Sequence, residues 1–399
     1  MKKIIGVVVP DLSDSGGVQT IAEMVIKQIE SHPDYECRIF SLATSSSDEC
    51  SVKLTKPKSW IQGLKTKKMM WRNREITHVG CYFTELEFMR YQPRKILNDL
   101  LNQCDLVQVV SGFPAWGNVV IKHDKPVAVW SATLCAWERR TIFFNSSGMK
   151  NSFRKLMTYL TSKIDNRVIA RTKKMMVMNS LVENYAKEIN PFKNAVVYAP
   201  AGVNINWFIP DTNKKKDSSY VLAVGRLADK RKNMPLLLES FKLLKIKHPG
   251  PLKLILAGGS SPTEEFWNKV ETYKLNEEVV FVSNPNANEL KLLYQNAKCL
   301  ALSSDEEGFG MVLIEAMACG IPVVATRCGG PDNIITDGVD GFLTEIGNAE
   351  ELCAKLEQLC FNDELNLKMS VAARSTVEKR FSEEAVAKVF YDTWAELIN

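Results

Sequence analysis

No apolar run in this chain approaches the about 18 residues that a membrane-spanning helix needs. The longest, such as Ile4–Pro10 and Gly320–Ala325, are less than half that length. The N-terminal MKKIIGVVVP is too brief for a signal peptide and carries no cleavage site, so folding in the cytosol is expected. Close cysteine pairs are missing too. Ten Cys residues include no CxxC, and the nearest two, Cys353 and Cys360, are seven apart on a helical pattern, which favours reduced core thiols. His32, His78, His123 and His248 are scattered without zinc spacing, so neither a protein-held metal nor a tightly bound cofactor is expected. The first glycine turn, DSGGVQT, lacks the GxGxxG fingerprint, and no acidic ribose ligand follows the second strand pattern, which argues against a dinucleotide-dependent oxidoreductase.

Charge is present but unevenly placed. Residues 1–200 hold 29 Lys/Arg against 18 Asp/Glu, a net +11, whereas residues 201–399 hold 22 against 28, a net −6. The first half therefore favours an anionic neighbour. Nucleic acid is a poor candidate, because no homeodomain, finger or aromatic sheet motif accompanies the basic residues.

In its 399 residues, short β-branched runs alternate with helical patterns, the signature of βαβ units. The first series predicts strands at 3–10, 37–42, 105–110, 127–131, 174–178 and 195–198, with a helix over 18–29. PDTNKKKDSS, 210–219, reads as a surface connection. A second series predicts strands at 220–224, 252–257, 279–282, 299–302 and 321–326, separated by helices. Nearly all-apolar strands predict parallel sheets covered on both faces. The fold class is α/β, with two doubly wound, Rossmann-like domains: 1–200, with the last helix pattern of 383–399 packing back onto it, and 201–382.

Two loops of the second domain carry chemistry. DEEGFG, 305–310, follows a strand and precedes a helix, so Gly308 and Gly310 can bring backbone amides to a ligand and the helix start can cradle phosphate. Glu315 lies within that helix among Val312, Leu313, Ile314, Ala316 and Met317, where a carboxylate can accept hydrogen bonds from vicinal hydroxyls; the alternative is a solvent-facing Glu. VGRLADKRKN, 224–233, places Arg226 and Lys232 where two cations can hold a diphosphate, the alternative being surface charge.

The combination of GRL and KN, then EGFG with a Glu eight residues after the first, ACGIPVVAT and GGP, over 225–331, resembles the retaining GT4 family of nucleotide-sugar glycosyltransferases. Gly16-Gly17 and APAGVNINWF, 199–208, extend the resemblance over most of the chain. It implies a GT-B fold, two Rossmann-like domains facing across a cleft. It also implies Arg226 and Lys232 on the donor diphosphate, Glu307 on the transferring sugar and Glu315 on the ribose. Gly308, Phe309, Gly310 and Met311 would offer backbone amides, Gly16 and Gly17 would approach the diphosphate, and Asn286 would stand near the base. Arg231 or Lys230 could share the phosphate role, since the spacing to Lys232 leaves room for one extra residue. The donor is expected to be a UDP sugar, with a GDP sugar as the alternative. The resemblance implies a His in the strand-end loop that here reads AVWSATLCAWERR, 128–140, and this chain has Trp130 and Ser131 there but no His.

KPKSWIQGLKTKKMMWRNR, 56–74, mixes Trp60 and Trp71 with Lys65, Lys67 and Lys68. Such a mixture can lie on an anionic membrane; the alternative is a solvated helix covering the core. With the resemblance, it leads to the expectation of a peripheral enzyme on the inner face of the cell membrane. Its acceptor would be a glycan or lipid-linked glycan of cell-surface polysaccharide assembly, or else a soluble acceptor.

Overall fold

The computed structural model describes residues 2–13, 16–140, 148–211 and 219–398. Residues 212–218 of the expected surface connection lie outside them. The chain divides into two compact units, Met1–Pro200 with Ala387–Asn399, and Ala201–Val386.

Among the described residues, the first unit holds an eight-stranded sheet in the order β3-β4-β2-β1-β5-β6-β7-β8. Its strands are β1 Lys3–Pro10, β2 Tyr35–Leu42, β3 Thr66–Trp71, β4 Arg74–Val79, β5 Leu106–Ser111, β6 Val127–Ser131, β7 Lys174–Val177 and β8 Val196–Tyr198. All pairs are parallel except β3 with β4. The central strands are buried on both faces, as continuous apolar runs require, and the helix Gly17–Ser31 covers one face with Ile21, Val25 and Ile29 at four-residue spacing.

The basic stretch is not the single solvated helix of the alternative reading. Residues Pro57–Gln62 form a short helix, but Thr66–Trp71 is a strand in an antiparallel hairpin, turned through Arg72 and Asn73 at positive φ. Lys67 and Lys68 lie on the sheet's outermost strand, where charge also discourages further strand pairing. Trp130, of the AVWSATLCAWERR stretch, is a core residue of this unit. Its indole N–H donates to Ala199 O at 2.8 Å, and its ring meets Phe390 edge-on at 4.9 Å. Phe390 belongs to the terminal helix Glu383–Ile398, which also buries Trp394 and lets its indole donate to Gln108 at 2.8 Å. The neighbouring Ser131 hydroxyl is buried without a partner among the described residues.

The second unit holds a six-stranded parallel sheet in the order β11-β10-β9-β12-β13-β14. Its strands are β9 Tyr220–Arg226, β10 Lys253–Ser260, β11 Val279–Ser283, β12 Cys299–Leu302, β13 Val323–Thr326 and β14 Gly341–Thr344. Beneath it, Leu237, Phe241, Leu254, Leu256 and Leu356 form part of one apolar core. Burial of each such side chain contributes about 1.5–3 kcal/mol.

Candidate donor site at the sheet's switch point

In the second unit, strands β10 and β11 lie on one side of β9 and strands β12 to β14 on the other. The order therefore reverses between β9 and β12, and ligands of open α/β sheets bind outside the carboxyl ends of the strands at such a point. The two loops that the motifs single out leave these two strands.

The loop after β9 closes in a short turn over Lys230–Lys232, capped by Asp229. Asn233 then adopts a left-handed conformation and caps the helix Met234–Lys247 through Leu236 N–H. The loop after β12 is tied to it repeatedly. Asp305 N–H donates to Arg231 O at 2.7 Å, Asn233 donates to the Asp305 carboxylate at 2.7 Å, and Ser303 Oγ donates to Lys232 O at 2.8 Å. Lys232 Nζ forms an ion pair with Glu307 Oε2, and Arg231 spans Asp229 at 2.7 Å and Glu306 at 2.9 Å. Burial pushes the Asp229 carboxyl up, but the Arg231 guanidinium outweighs it, so Asp229 sits below its ordinary value. Arg226 remains 69% exposed, 3.5 Å from Asp229.

Glu307 is also held by its backbone, N–H to Cys328 O at 3.1 Å and O from Gly330 N–H at 2.7 Å. This joins the EGFG loop to the turn after β13. A Cβ at Gly330 would stand 2.2 Å from Phe309 O, so only glycine admits that approach. Gly310, at φ 103°, turns the chain into the helix Met311–Ala318, whose start supplies N–H groups without intrahelical partners and a positive dipole end. Gly308, Phe309, Gly310 and Met311 thus sit beside the Lys232–Glu307 pair in sequence and loop.

Glu315 meets a partner that nothing in the motif spacing indicates. Tyr294, fully buried on the helix Ala287–Asn296, donates its hydroxyl to Glu315 Oε2 at 2.6 Å. Burial drives the Glu315 carboxyl up to about 7, although the Tyr294 hydroxyl pulls it down. Oε1 accepts no hydrogen bond from the described residues. Asn286 caps the same helix: its side-chain oxygen accepts from Asn288 and Glu289 N–H at 3.0 and 3.1 Å, which leaves only its side-chain N–H₂ for a ligand.

Gly16 and Gly17 stand in the first unit at the start of the helix Gly17–Ser31, after β1. That unit has its own reversal of strand order between β1 and β5. Trp60 and Trp71 belong to it as well. Trp60 is 53% exposed and donates to Lys53 O at 2.7 Å; Lys68 pairs with Glu75 at 2.8 Å and Lys65 donates to Gln62 at 2.8 Å. Among the described residues, one group has metal-ligand chemistry: Asp48, Cys50 and His78, whose ligand atoms lie within 4.8 Å of one another. His78 spends its ring nitrogens on Asp48 at 2.9 Å and Ser41 at 3.2 Å, so hydrogen bonding already accounts for the His78 and Asp48 side chains.

Comparison with known proteins bears on this geometry. Sucrose-phosphate synthase from Thermosynechococcus elongatus superposes over 99% of both chains with a TM-score of 0.73 at 19% identity. Anabaena HepE in complex with UDP and glucose superposes over 98% of this chain and 99% of that one, with a TM-score of 0.69 at 14% identity. Residues 206–376 match the family described as glycosyl transferases group 1. The chain has the GT-B fold. The residues similar to the glycosyl transferases group 1 family lie within the second unit and contain both switch-point loops. N-acetyl-alpha-D-glucosaminyl L-malate synthase of Bacillus anthracis is 33% identical over 144 residues, 35% of this chain and 37% of that one. The chain spans about half the length of the curated relatives it matches, or less. None of the ten cysteines forms a disulfide, and no helix among the described residues is long and apolar enough to cross a membrane.

Proposed function

We propose that the chain is a retaining glycosyltransferase of the GT4 type, moving a hexose from a nucleotide diphosphate sugar, preferentially a UDP sugar, to a hydroxyl of a glycan or lipid-linked glycan. The observation that carries this reading is the pair of charged loops at the β9/β12 switch point, joined through Lys232 and Glu307. The GT-B likeness supports it, as does the UDP held by the Anabaena protein.

In this reading Lys232 and Arg226 take the diphosphate, with Arg231 stiffening the loop from behind. The acceptor oxygen attacks the anomeric carbon on the face from which the diphosphate leaves, and the broken C–O bond's electron pair passes to the β-phosphate oxygen. The acceptor's proton follows to the departing phosphate. Preorganised cations at that oxygen stabilise charge as it develops, which lowers the barrier directly. Glu307 holds Lys232 until the diphosphate shares the cation, and then faces the sugar. Glu315 accepts from the ribose hydroxyls through Oε1 while Tyr294 anchors Oε2. No protein-held metal enters the scheme.

The acceptor side is placed on an anionic membrane, with polysaccharide assembly at the inner face of the cell membrane as its setting. Ile61 at 91% and Met70 at 69% exposure, beside Lys65, Lys67 and Lys68, favour that placement.

Isothermal titration with UDP, GDP and ADP tests the donor. UDP is expected to bind most tightly, and a chain that binds none of the three, nor any of their sugars, is not this enzyme. Hydrolysis of purified UDP and GDP sugars then separates the two donor classes.

A further inference from the structure

The first unit holds a group of polar side chains that the donor chemistry leaves unused: Asp48, Cys50 and His78, whose ligand atoms lie within 4.8 Å of one another. Topology brings them together. His78 stands on β4 directly beside Ser41 of β2, so the two side chains share a face, and Asp48 and Cys50 come from the loop that leaves the carboxyl end of β2. The backbone clamps that loop against β4. Cys50 O accepts Lys65 N–H at 3.0 Å, Val52 N–H donates to Cys81 O at 3.0 Å, and a Cβ at Gly80 would stand 2.0 Å from Cys50 O. Glycine at 80 permits this approach, which fixes the point from which the Cys50 side chain starts.

Asp48 and His78 have outer partners of the kind that orient metal ligands. Ser51 Oγ donates to Asp48 Oδ2 and accepts Cys81 N–H at 2.9 Å, which leaves Asp48 Oδ1 turned to His78 Nε2 at 2.9 Å. His78 Nδ1 lies 3.2 Å from Ser41 Oγ, itself held by Leu12 N–H at 3.1 Å. Opposite a carboxylate, Nε2 keeps its hydrogen. With a cation between the two, Nε2 offers its lone pair, the ring hydrogen sits on Nδ1 and donates to Ser41, and no outer partner has to move. Cys50 is the member that hydrogen bonding leaves idle. It is buried, forms no disulfide, and its Sγ has no hydrogen-bond partner among the described residues.

One thiolate, one imidazole and one carboxylate are a donor set for zinc, whereas magnesium and calcium take oxygen ligands. The carboxylate and the thiolate together balance the charge of a divalent ion. A cavity of about 460 Å³, lined by all three residues, provides entry and leaves the fourth tetrahedral position to a water. We propose that Asp48 Oδ1, Cys50 Sγ and His78 Nε2 bind Zn²⁺, or a divalent cation of the same borderline class, with release of the thiol proton, and that the ion locks the loop after β2 onto β4. The site requires neither the donor loops nor the proposed transfer.

Cobalt titration of the full chain, stripped beforehand with EDTA, reads the thiolate directly, because a Co²⁺–sulfur bond adds a charge-transfer absorption that nitrogen and oxygen ligands do not give. One equivalent of Co²⁺ is expected to bring up this band and one equivalent of Zn²⁺ to erase it, while excess Mg²⁺ leaves it in place. Cys50→Ser is expected to remove the band with the circular dichroism spectrum unchanged, and Ser41→Ala to weaken cobalt binding about tenfold. Cys37→Ser, at a half-buried thiol outside the cluster, controls for adventitious binding and should leave the titration as it is. A band that survives Cys50→Ser, that falls with Cys37→Ser instead, or that never appears overturns the proposal. Should Cys50→Ser fail to fold, the melting temperature of the unaltered chain decides: a rise with Zn²⁺ and none with Mg²⁺ supports the site, and equal melting in both removes it.

Discussion

Each unit brings a pair of loops to the point where its strand order reverses, and the two pairs have opposite chemistry. In the second unit the loops after β9 and β12 carry Asp229, Arg231, Lys232, Asp305, Glu306 and Glu307, almost all engaged with one another. In the first, the residues after β1 and β5 hold the acids Asp11 and Asp14, Leu12, Ser13, Gly16, Gly112 and Phe113, but no Lys or Arg. One switch point is built as a lattice of paired charges and the other without a cation. A lattice that includes cations can grip and stabilise an anionic leaving group; loops without them offer backbone and room. The same topology thus serves two tasks, and the side chains at the strand ends decide which.

The contrast breaks most sharply if Lys232 is dispensable. Lys232→Ala is expected to slow transfer by about 100- to 1000-fold, the scale of one lost electrostatic stabiliser, with the circular dichroism spectrum unchanged. Near-normal turnover would remove the lattice's catalytic meaning and shift the role to Arg231 and Arg226. Glu307→Ala should injure transfer more than UDP affinity, which paired turnover and titration measurements separate.

Glu315 sharpens the comparison through pH. Its carboxyl lies at about 7 in the fold against an ordinary glutamate value of 4.5, so the folded state favours the protonated form. Its contribution to stability is then fully present below about 4.5 and is lost as pH rises through 7. Glu315→Gln is expected to flatten this stretch of the stability profile, by up to about 3 kcal/mol between the two limits, and to weaken UDP binding. Urea denaturation of both chains at pH 5 and pH 8 provides the check; parallel profiles would show that burial of the carboxyl is not what perturbs it.

Glycines at the two switch regions should respond differently. Gly330→Ala pushes a methyl against the Phe309 carbonyl and is expected to cost about 1–3 kcal/mol, visible as a lower melting temperature. Gly17→Ala meets nothing within 4 Å, so the melting temperature should hold. A fall in activity at unchanged stability would then identify Gly17 as a position of ligand approach. A large melting shift for Gly17→Ala would instead make it structural, like Gly330.

The smallest effects belong to the basic hairpin. Each near-surface Lys is worth about 1 kcal/mol of attraction to anionic lipid before screening. Vesicle cosedimentation is expected to rise with phosphatidylserine content, fall with salt, and weaken when Lys65, Lys67, Lys68 and Trp71 are changed together. A chain that stays in the supernatant at low salt would leave Lys67 and Lys68 as guards of an open sheet edge and favour a soluble acceptor.

What the sequence determined by itself was the set of strongly patterned parts. Apolar runs such as Ile4–Pro10 and Cys299–Leu302 read as buried strands, because they are shorter than a typical helix and their unbroken apolar character suits a parallel sheet covered on both faces. Gly310 and Gly330 beside Glu307 mark turns for a comparable reason, since glycine tolerates the left-handed dihedral of the one and the close backbone approach of the other. The hairpin of β3 and β4 was not legible: its Lys and Met residues follow no clean alternation on an outer strand, where burial does not enforce one. Tertiary structure alone decided the partnerships. Lys232 and Glu307 are 75 positions apart, Tyr294 and Glu315 are 21, and Glu87 and Arg139 are 52. Periodicity reports how a segment meets its immediate surroundings, whereas a pair of polar groups is made by strand order and loop length acting across the whole sheet, and no local pattern encodes that distance.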